Sequence, residues 1–241
     1  ENRGLAHALN IGLQHCDFDV VARADCDDVS LPNRFATIIP QFTRRSAASH
    51  TTVKSKLPID VMGSAIREFT DDERQPGQIR MLPAEGADLE KYARMQSPVH
   101  HPSVVFRKSA VLAAGGYPED AGRFEDYLLW ERMMLNHAQF LNMPEPLVLY
   151  RTNQEAYERR GGWDMFREEL RLQWRFLRDG FTSPAQFLRN TFIRAAYRMM
   201  PTSLRKRAYH SIVSRRNTEI SAAPAPAEVQ AKPRGRHAQS E

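Results

Sequence analysis

Leu5, Ala8, Leu9 and Leu13 recur at three- and four-residue intervals, so NRGLAHALNIGLQHC predicts a helix over roughly residues 4 to 15. The run FDVVARA, Phe18 to Ala24, is β-rich and apolar and reads as a short buried strand. It stops abruptly in ADCDD, where Asp25, Asp27 and Asp28 surround Cys26. A helix followed by a strand that ends in polar residues is the rhythm of an α/β domain. In open sheets of that class, ligands gather beyond the carboxyl ends of the strands.

Pro32 suits the first turn of a second helix, with Ser30 as its cap, running towards Arg45 with a disturbance at Pro40. RRSAASHTTVKSK is polar and reads as a loop. PIDVMGSAIREF reads as a strand in which Gly63 marks a bulge or a close backbone approach. AEGADLEKYARM predicts a short helix, SVVFRK a strand, and SAVLAAGGYPEDAG a helix ended by Gly115 and Gly116. FEDYLLWERMMLNH carries Phe124, Leu128, Leu129, Met133 and Leu135 in one stripe and predicts a helix, and PEPLVLYRT predicts a last strand. After Arg151 the character changes. WDMFREELRLQWRFLRDGF places Trp163, Phe166, Leu170, Trp174 and Leu177 on one helical face. A second amphipathic stretch runs from Pro184 to about Arg216, interrupted by Pro201, and Asn217 to Glu241 has the composition of a disordered tail.

Composition changes this picture in two places. The 241 residues suffice for a sizeable core without staples, and the two cysteines, Cys16 and Cys26, are expected to be free thiols. The net charge of +5 is unevenly spread, because Arg189 to Arg216 contains no Asp or Glu. That basic region has two readings. One is a solvated face whose arginines lie over packed apolar side chains. The other is a membrane-surface helix with Phe192, Ile193, Tyr197, Met199 and Met200 inserted beside anionic lipids. It lacks a nucleic-acid reading motif, and no nucleic-acid partner is expected.

Alternate residues on extended backbone project to the same side, so Asp25 and Asp27 can converge. Three neighbouring carboxylates repel one another unless a cation or donors compensate, and their hard oxygens suit Mg²⁺ or Mn²⁺. A solvated turn in which Asp28 or Ser30 caps the next helix accounts for the same spacing. Glu125 and Asp126 open a helix, where the dipole favours negative charge; either they cap it or one of them serves as a general base. His100 and His101 are adjacent before Pro102, so in extended backbone they point apart, which favours a cleft-lining or hydrogen-bonded role over joint metal ligation. No P-loop, G-x-G-x-x-G, G-x-S-x-G, H-E-x-x-H or paired C-x-x-C motif occurs, which argues against the activities those motifs carry.

Taken in order, NRGLAHALNIGL, ARADCDDVSLPNRF, HHPSVVFRKSAVLAAGGYPE, FEDYLLWERM and PLVLYR resemble the family 2 glycosyltransferases of GT-A fold, particularly bacterial ones that build surface polysaccharides. The resemblance spans roughly residues 2 to 151. It implies an α/β, Rossmann-like mixed sheet flanked by helices and an inverting transfer of sugar from a nucleoside-diphosphate donor, UDP-sugar favoured. The acceptor would be a glycan or lipid-linked glycan. Asp27, with Asp25, would hold Mg²⁺ or Mn²⁺, and Asp25 would also lie near the nucleotide. Asp126, with Glu125 beside it, would deprotonate the acceptor, and Asp28, His101 and Arg151 would line the substrate site. Many relatives carry a His after this YR, where YRTNQEAY here supplies Asn153. The family also opens with a β-α-β unit before its NRGL helix, so the sequence, which begins at Glu1, reads as N-terminally truncated and poorly active by itself. The expected organisation is a partial catalytic domain over 1–151, a basic helical region over 152–216 and a tail over 217–241. The expected location is the cytoplasm, peripheral at the membrane's inner face.

Overall fold

The computed structural model describes residues 2–44, 58–152 and 162–222. Its elements, in chain order, begin with α1 (Leu5–Gln14), β1 (Val20–Ala22), β2 (Val29–Ser30) and α2 (Arg34–Arg44). β3 (Val61–Phe69), β4 (Ile79–Arg80) and α3 (Gly86–Ala93) follow, then a 3₁₀ turn (His101–Ser103), β5 (Val105–Arg107) and α4 (Lys108–Ala113). α5 (Glu125–Leu135), β6 (Phe140–Arg151), α6 (Trp163–Arg178), α7 (Pro184–Met199) and α8 (Thr202–Ala222) complete them.

The strands form one mixed sheet in the order β1-β5-β3-β6-β2, with β4 added to β3. β3 and β6 pair in parallel, and the other pairings are antiparallel. The architecture is therefore the expected α/β mixed sheet with flanking helices. Helices α1, α4 and α5 cover one part of the sheet through Leu13, Val111, Leu129, Trp130 and Met133, and α2 covers another through Ile38 and Phe42. A third apolar cluster joins Ala93, Tyr127 and Leu128 to Leu172, Phe176 and Phe181, so α6 is seated directly on α3 and α5.

Gly63 is a close approach, as expected. A Cβ there would run into the Asn142 side chain and press on Val99. Asn142 in turn donates to the carbonyls of Pro83 (2.9 Å) and Pro98 (2.8 Å). One residue on, the Ser64 N–H donates to Ser103 Oγ at 3.0 Å, which ties the 3₁₀ turn carrying His101 to β3. The β3–β6 register slips between Ser64 and Ile66, opposite the two prolines of NMPEP in β6. Proline cannot donate to a ladder, so a bulge forms where both occur.

Several expectations need correction. β1 is only three residues long. The second helix starts at Arg34, and Ser30 belongs to β2, its hydroxyl accepting from Arg34 Nη1 (2.8 Å) instead of capping. Pro40 sits inside α2 without ending it. β6 begins at Phe140, before PEPLVLYRT. The stripe expected on α6 is split: Trp163, Leu170 and Trp174 are exposed and Phe166 and Leu177 are half-buried, while Met165, Glu169, Leu172, Gln173 and Phe176 are buried. The tail expected from residue 217 is helical as far as Ala222, because Asn217 donates to Ile79 O (2.6 Å) and accepts from Met81 N–H (3.1 Å), satisfying the edge of β4. The loop reading of residues 45–57, the Asn153 position and residues 223–241 lie outside the described residues.

Candidate functional site

The acidic turn follows β1. Arg23 N–H still bonds Val104 O at 3.0 Å across to β5, and the chain then folds so that Asp28 N–H donates to Asp25 O at 3.3 Å. β2 begins immediately afterwards, pairing with β6 so that Val29 lies opposite Leu149. Two arginines hold this turn. Arg151, at the end of β6, donates its backbone N–H to Asp28 Oδ1 (2.8 Å) and its Nε to Asp27 O (3.1 Å). Its Nη1 reaches Thr70 O (3.1 Å). Arg34, almost fully buried, donates Nη2 to Arg23 O (2.7 Å) and to Pro102 O (3.4 Å).

The three carboxylates differ. Asp25 Oδ1 accepts from Arg23 Nε (3.0 Å) and Nη2 (2.5 Å). Asp27 is exposed. Asp28 is pushed up to about 6, by burial first and then by the charges of Asp25 and Asp27, against the Arg151 N–H that favours its ionised form. Its Oδ2 is buried with no hydrogen-bond partner among the described residues.

Across Arg23 stands the second acidic group. Nη1 of Arg23 contacts the His101 imidazole, 2.6 Å from Nε2. That nitrogen is also 3.2 Å from the Tyr117 hydroxyl, and Nδ1 lies 3.8 Å from Asp126 Oδ2. Tyr117 is set by α1: Asn10 accepts from its N–H and donates to its carbonyl, both at 2.8 Å. Gly116, at φ 73°, brings the chain so near that a Cβ would sit 2.8 Å from Asn10 Oδ1. The GGY segment is thus a clamp for a hydroxyl at the site, as well as a helix stop.

Asp126 and Glu125 open α5. Burial, then the Glu125 charge, pushes Asp126 up to about 7, opposed by the Tyr127 N–H (2.7 Å) and by Arg23. Glu125 is raised too, chiefly by burial. Burial and then Arg23 hold His101 well below its usual range, so the ring is neutral at neutral pH. Tyr117 feels Arg23, Asp126, Glu125 and Asp25 together, so the two acidic groups share one electrostatic neighbourhood. A carboxyl poised near neutrality beside a neutral imidazole is suited to taking a proton.

The sequence-expected residues are therefore brought together: Asp25, Asp27, Asp28 and Arg151 on one side, His101, Glu125 and Asp126 on the other. His100 points elsewhere, its Nε2 3.2 Å from Arg80 O, as adjacent residues should. Donor atoms of His101, Glu125 and Asp126 lie within 4.8 Å of one another, a spacing compatible with a metal ion. The Arg23 guanidinium against the same imidazole disfavours a second cation there. The three aspartates of the turn form no such cluster among the described residues, and Asp25 is paired with the same Arg23; what the turn offers is hard oxygen donors, with a buried orphan oxygen on Asp28 and an exposed Asp27. Sequence reasoning missed Arg23, Arg34 and Tyr117. All three stand inside the quoted motifs, yet their partners lie far along the chain.

The family model for glycosyl transferase family 2 matches residues 1–110. The chain is 33% identical over 215 residues to an Escherichia coli UDP-Gal:alpha-D-GlcNAc-diphosphoundecaprenol beta-1,3-galactosyltransferase, covering 89% of this chain and 74% of that protein. It is also 33% identical to the amylovoran biosynthesis glycosyltransferase AmsE of Erwinia amylovora, covering 87% and 73%. A solved mannosyltransferase from Pyrobaculum calidifontis, in complex with GDP-Man and Mn²⁺, aligns with a TM-score of 0.45 at 16% identity, over 92% of this chain and 64% of that one. With a third of the positions shared along most of its length with such relatives, the chain belongs to glycosyl transferase family 2.

Proposed function

We propose that this glycosyltransferase moves a sugar from a nucleoside-diphosphate donor to an acceptor hydroxyl with inversion, and that Asp126 takes the acceptor's proton. The observation that carries this reading is Asp126 itself, raised to about 7 and separated from the aspartate turn by Arg23 and His101. Burial and Glu125 keep the carboxyl basic enough to accept a proton near neutral pH, while Arg23 keeps part of it ionised. His101, neutral and fixed by Arg23 and Tyr117, leaves Asp126 unpaired by a full positive charge. Asp27 and Asp25 would hold Mg²⁺ or Mn²⁺, with Asp28 beside them. When bound, such an ion supplies neutralising charge for a departing diphosphate. Arg151 and Arg34 keep the turn in shape through the bonds to Asp28, Asp27 and Arg23.

A UDP-sugar donor and a lipid-linked glycan acceptor are the finer assignments. They are supported by the relative named as using UDP-Gal and a diphosphoundecaprenol-linked sugar, and they fit a role in bacterial surface polysaccharide assembly at the inner face of the membrane. The test is incubation of the chain with UDP-sugars, Mn²⁺ and a polyprenyl-diphosphate-linked sugar, with products read by mass spectrometry and anomeric NMR. The expected result is one new inverted glycosidic linkage, lost with chelator and in Asp126→Asn, while calorimetric donor binding survives that substitution. Failure to bind any nucleotide sugar would overturn the reading. Release of nucleoside monophosphate without sugar transfer would point instead to phosphoryl or nucleotidyl chemistry.

A further inference from the structure

The hairpin of α6 and α7 turns part of its apolar pattern outward. The helices run antiparallel: Gly162 N–H donates to Arg198 O at 3.2 Å at one end, and Trp174 meets Phe187 with ring centroids 6.0 Å apart at the other. Facing inward is a polar set. Glu169 is 1% exposed and accepts from Arg198 Nε (2.9 Å) and Nη2 (2.7 Å), with Arg194 Nη1 3.2 Å away. Gln173 and Asn190 extend this set, the Asn190 amide donating to Gln173 Oε1 at 3.2 Å. Outward, Trp163 (58%), Trp174 (59%) and Leu170 (37%) lie on α6, and Leu188 (67%), Phe192 (76%) and Met199 (60%) on α7. These positions are spaced by four, seven or eleven residues within each helix, so each set forms one stripe. Trp174 of the first stripe packs on Phe187, the half-buried neighbour of Leu188, where the two helices meet.

An exposed apolar face of this extent, carrying two indoles, marks a site of contact rather than a solvated surface. We propose that the outer face of the α6–α7 hairpin docks on the surface of a bilayer containing anionic lipid. Charge chooses this occupant. Arg167 and Arg171 border the stripe on α6, and Arg189 does so on α7, all exposed. The acidic residues of α6 are drawn away: Glu169 into the buried pairs, and Glu168 towards Arg123 at 3.9 Å. Asp164, in the first turn, is the exposed exception. Aromatic side chains with arginines around them suit the headgroup boundary, where the apolar body and polar edge of an indole are both satisfied. No helix among the described residues is long and apolar enough to cross a membrane, so the contact is one of lying on the surface. Relative to the sequence-level expectation, which inserted Phe192, Ile193, Tyr197, Met199 and Met200, the face gains the tryptophans of α6. It loses Tyr197 and Met200, which are only partly exposed.

The protein carries its own probe. Of its three tryptophans, Trp163 and Trp174 lie on this face, and Trp130 is fully buried in the sheet's core. Vesicles of phosphatidylcholine with added phosphatidylglycerol should shift the emission to the blue, and lipids with brominated chains should quench it. Co-sedimentation should strengthen with phosphatidylglycerol and weaken with salt. Replacing Trp174 and Phe192 together by Glu should reduce vesicle binding about tenfold, since such binding scales with buried apolar area. Circular dichroism melts check that the double variant folds, and Leu188→Ser serves in its place where it does not. Neither donor nor acceptor is present, so the outcome is independent of the sugar-transfer reading. Unshifted emission overturns the proposal, as does binding indifferent to phosphatidylglycerol. So does a dimer on size exclusion that the same substitutions dissociate, which would make a second copy the occupant.

Discussion

A carboxylate in the first turn of a helix ordinarily gains from the dipole and ionises easily. Asp126 occupies that position and is nevertheless raised to about 7, because burial and the neighbouring Glu125 outweigh the Tyr127 N–H and Arg23. Only the ionised carboxyl accepts a proton, so turnover should rise with pH through a limb near that value and then level off. Asp126→Asn should lower kcat about a thousandfold, the range expected for a general base, with donor affinity retained. Arg23 gives a sharper check. Its charge favours ionised Asp126, so Arg23→Gln should move the limb of the pH–rate profile to higher pH. An unmoved limb would mean that the titrating group is not Asp126. The acidic members of this site are legible in sequence because each motif is local. Arg23 and Arg34 are not, because the partners that reveal their roles, His101 and Pro102, lie 78 and 68 residues away.

At the scale of elements, periodicity located most helices but does not say which side of α6 faces in. Apolar spacing reports a stripe, and the stripe is real. The inward side was decided by arginines on another helix, Arg194 and Arg198, which make burial of Glu169 tolerable. α5 shows the opposite case, a buried acid that arginines influence only at a distance, without a hydrogen bond. Glu131 is 1% exposed, neither oxygen has a hydrogen-bond partner among the described residues, and burial followed by the Asp179 charge raises it to about 7. Its folded-state affinity for a proton exceeds that of the unfolded chain. Its contribution to stability is therefore full below the ordinary Glu range and is lost as pH rises through about 7. Glu131→Gln removes the ionisation. The variant should melt higher than the parent at pH 8, by an amount equivalent to about 2 kcal/mol. At pH 5 the difference should be small. Because Asp126 and Asp28 are raised as well, the pH dependence of the melt should flatten without vanishing. An unchanged slope between pH 5 and 8 would show that Glu131 stays ionised in the fold.

For the molecule as a whole, the basic helical region reads in sequence as an appendage to the catalytic domain, yet its contacts are those of a shared core. Phe176 of α6 is fully buried against Tyr127 of α5, centroids 4.8 Å apart, and against Phe181 at 5.2 Å. Tyr127 hydrogen-bonds Ala93 O, and it lies beside Asp126. α8 then crosses back over the sheet. Tyr209 donates to Glu68 of β3, Asn217 satisfies the β4 edge, and Arg216 lies over the Tyr92 ring at 4.9 Å. The boundary expected at Arg151 marks where the family resemblance ends, and aromatic side chains pack together across it. If one core spans both regions, Phe176→Ala should destabilise the catalytic part as much as the helices. A loss of about 3–4 kcal/mol is expected for a buried phenylalanine. The near-ultraviolet signal, to which Trp130 in the sheet's core contributes, and the far-ultraviolet helix signal should still melt together, at a lower temperature. Separation into two transitions, with the sheet's midpoint unmoved, would show that the helices fold as a separate unit. With a coincident shift, the first turn of α5, and Asp126 with it, is held in part by α6.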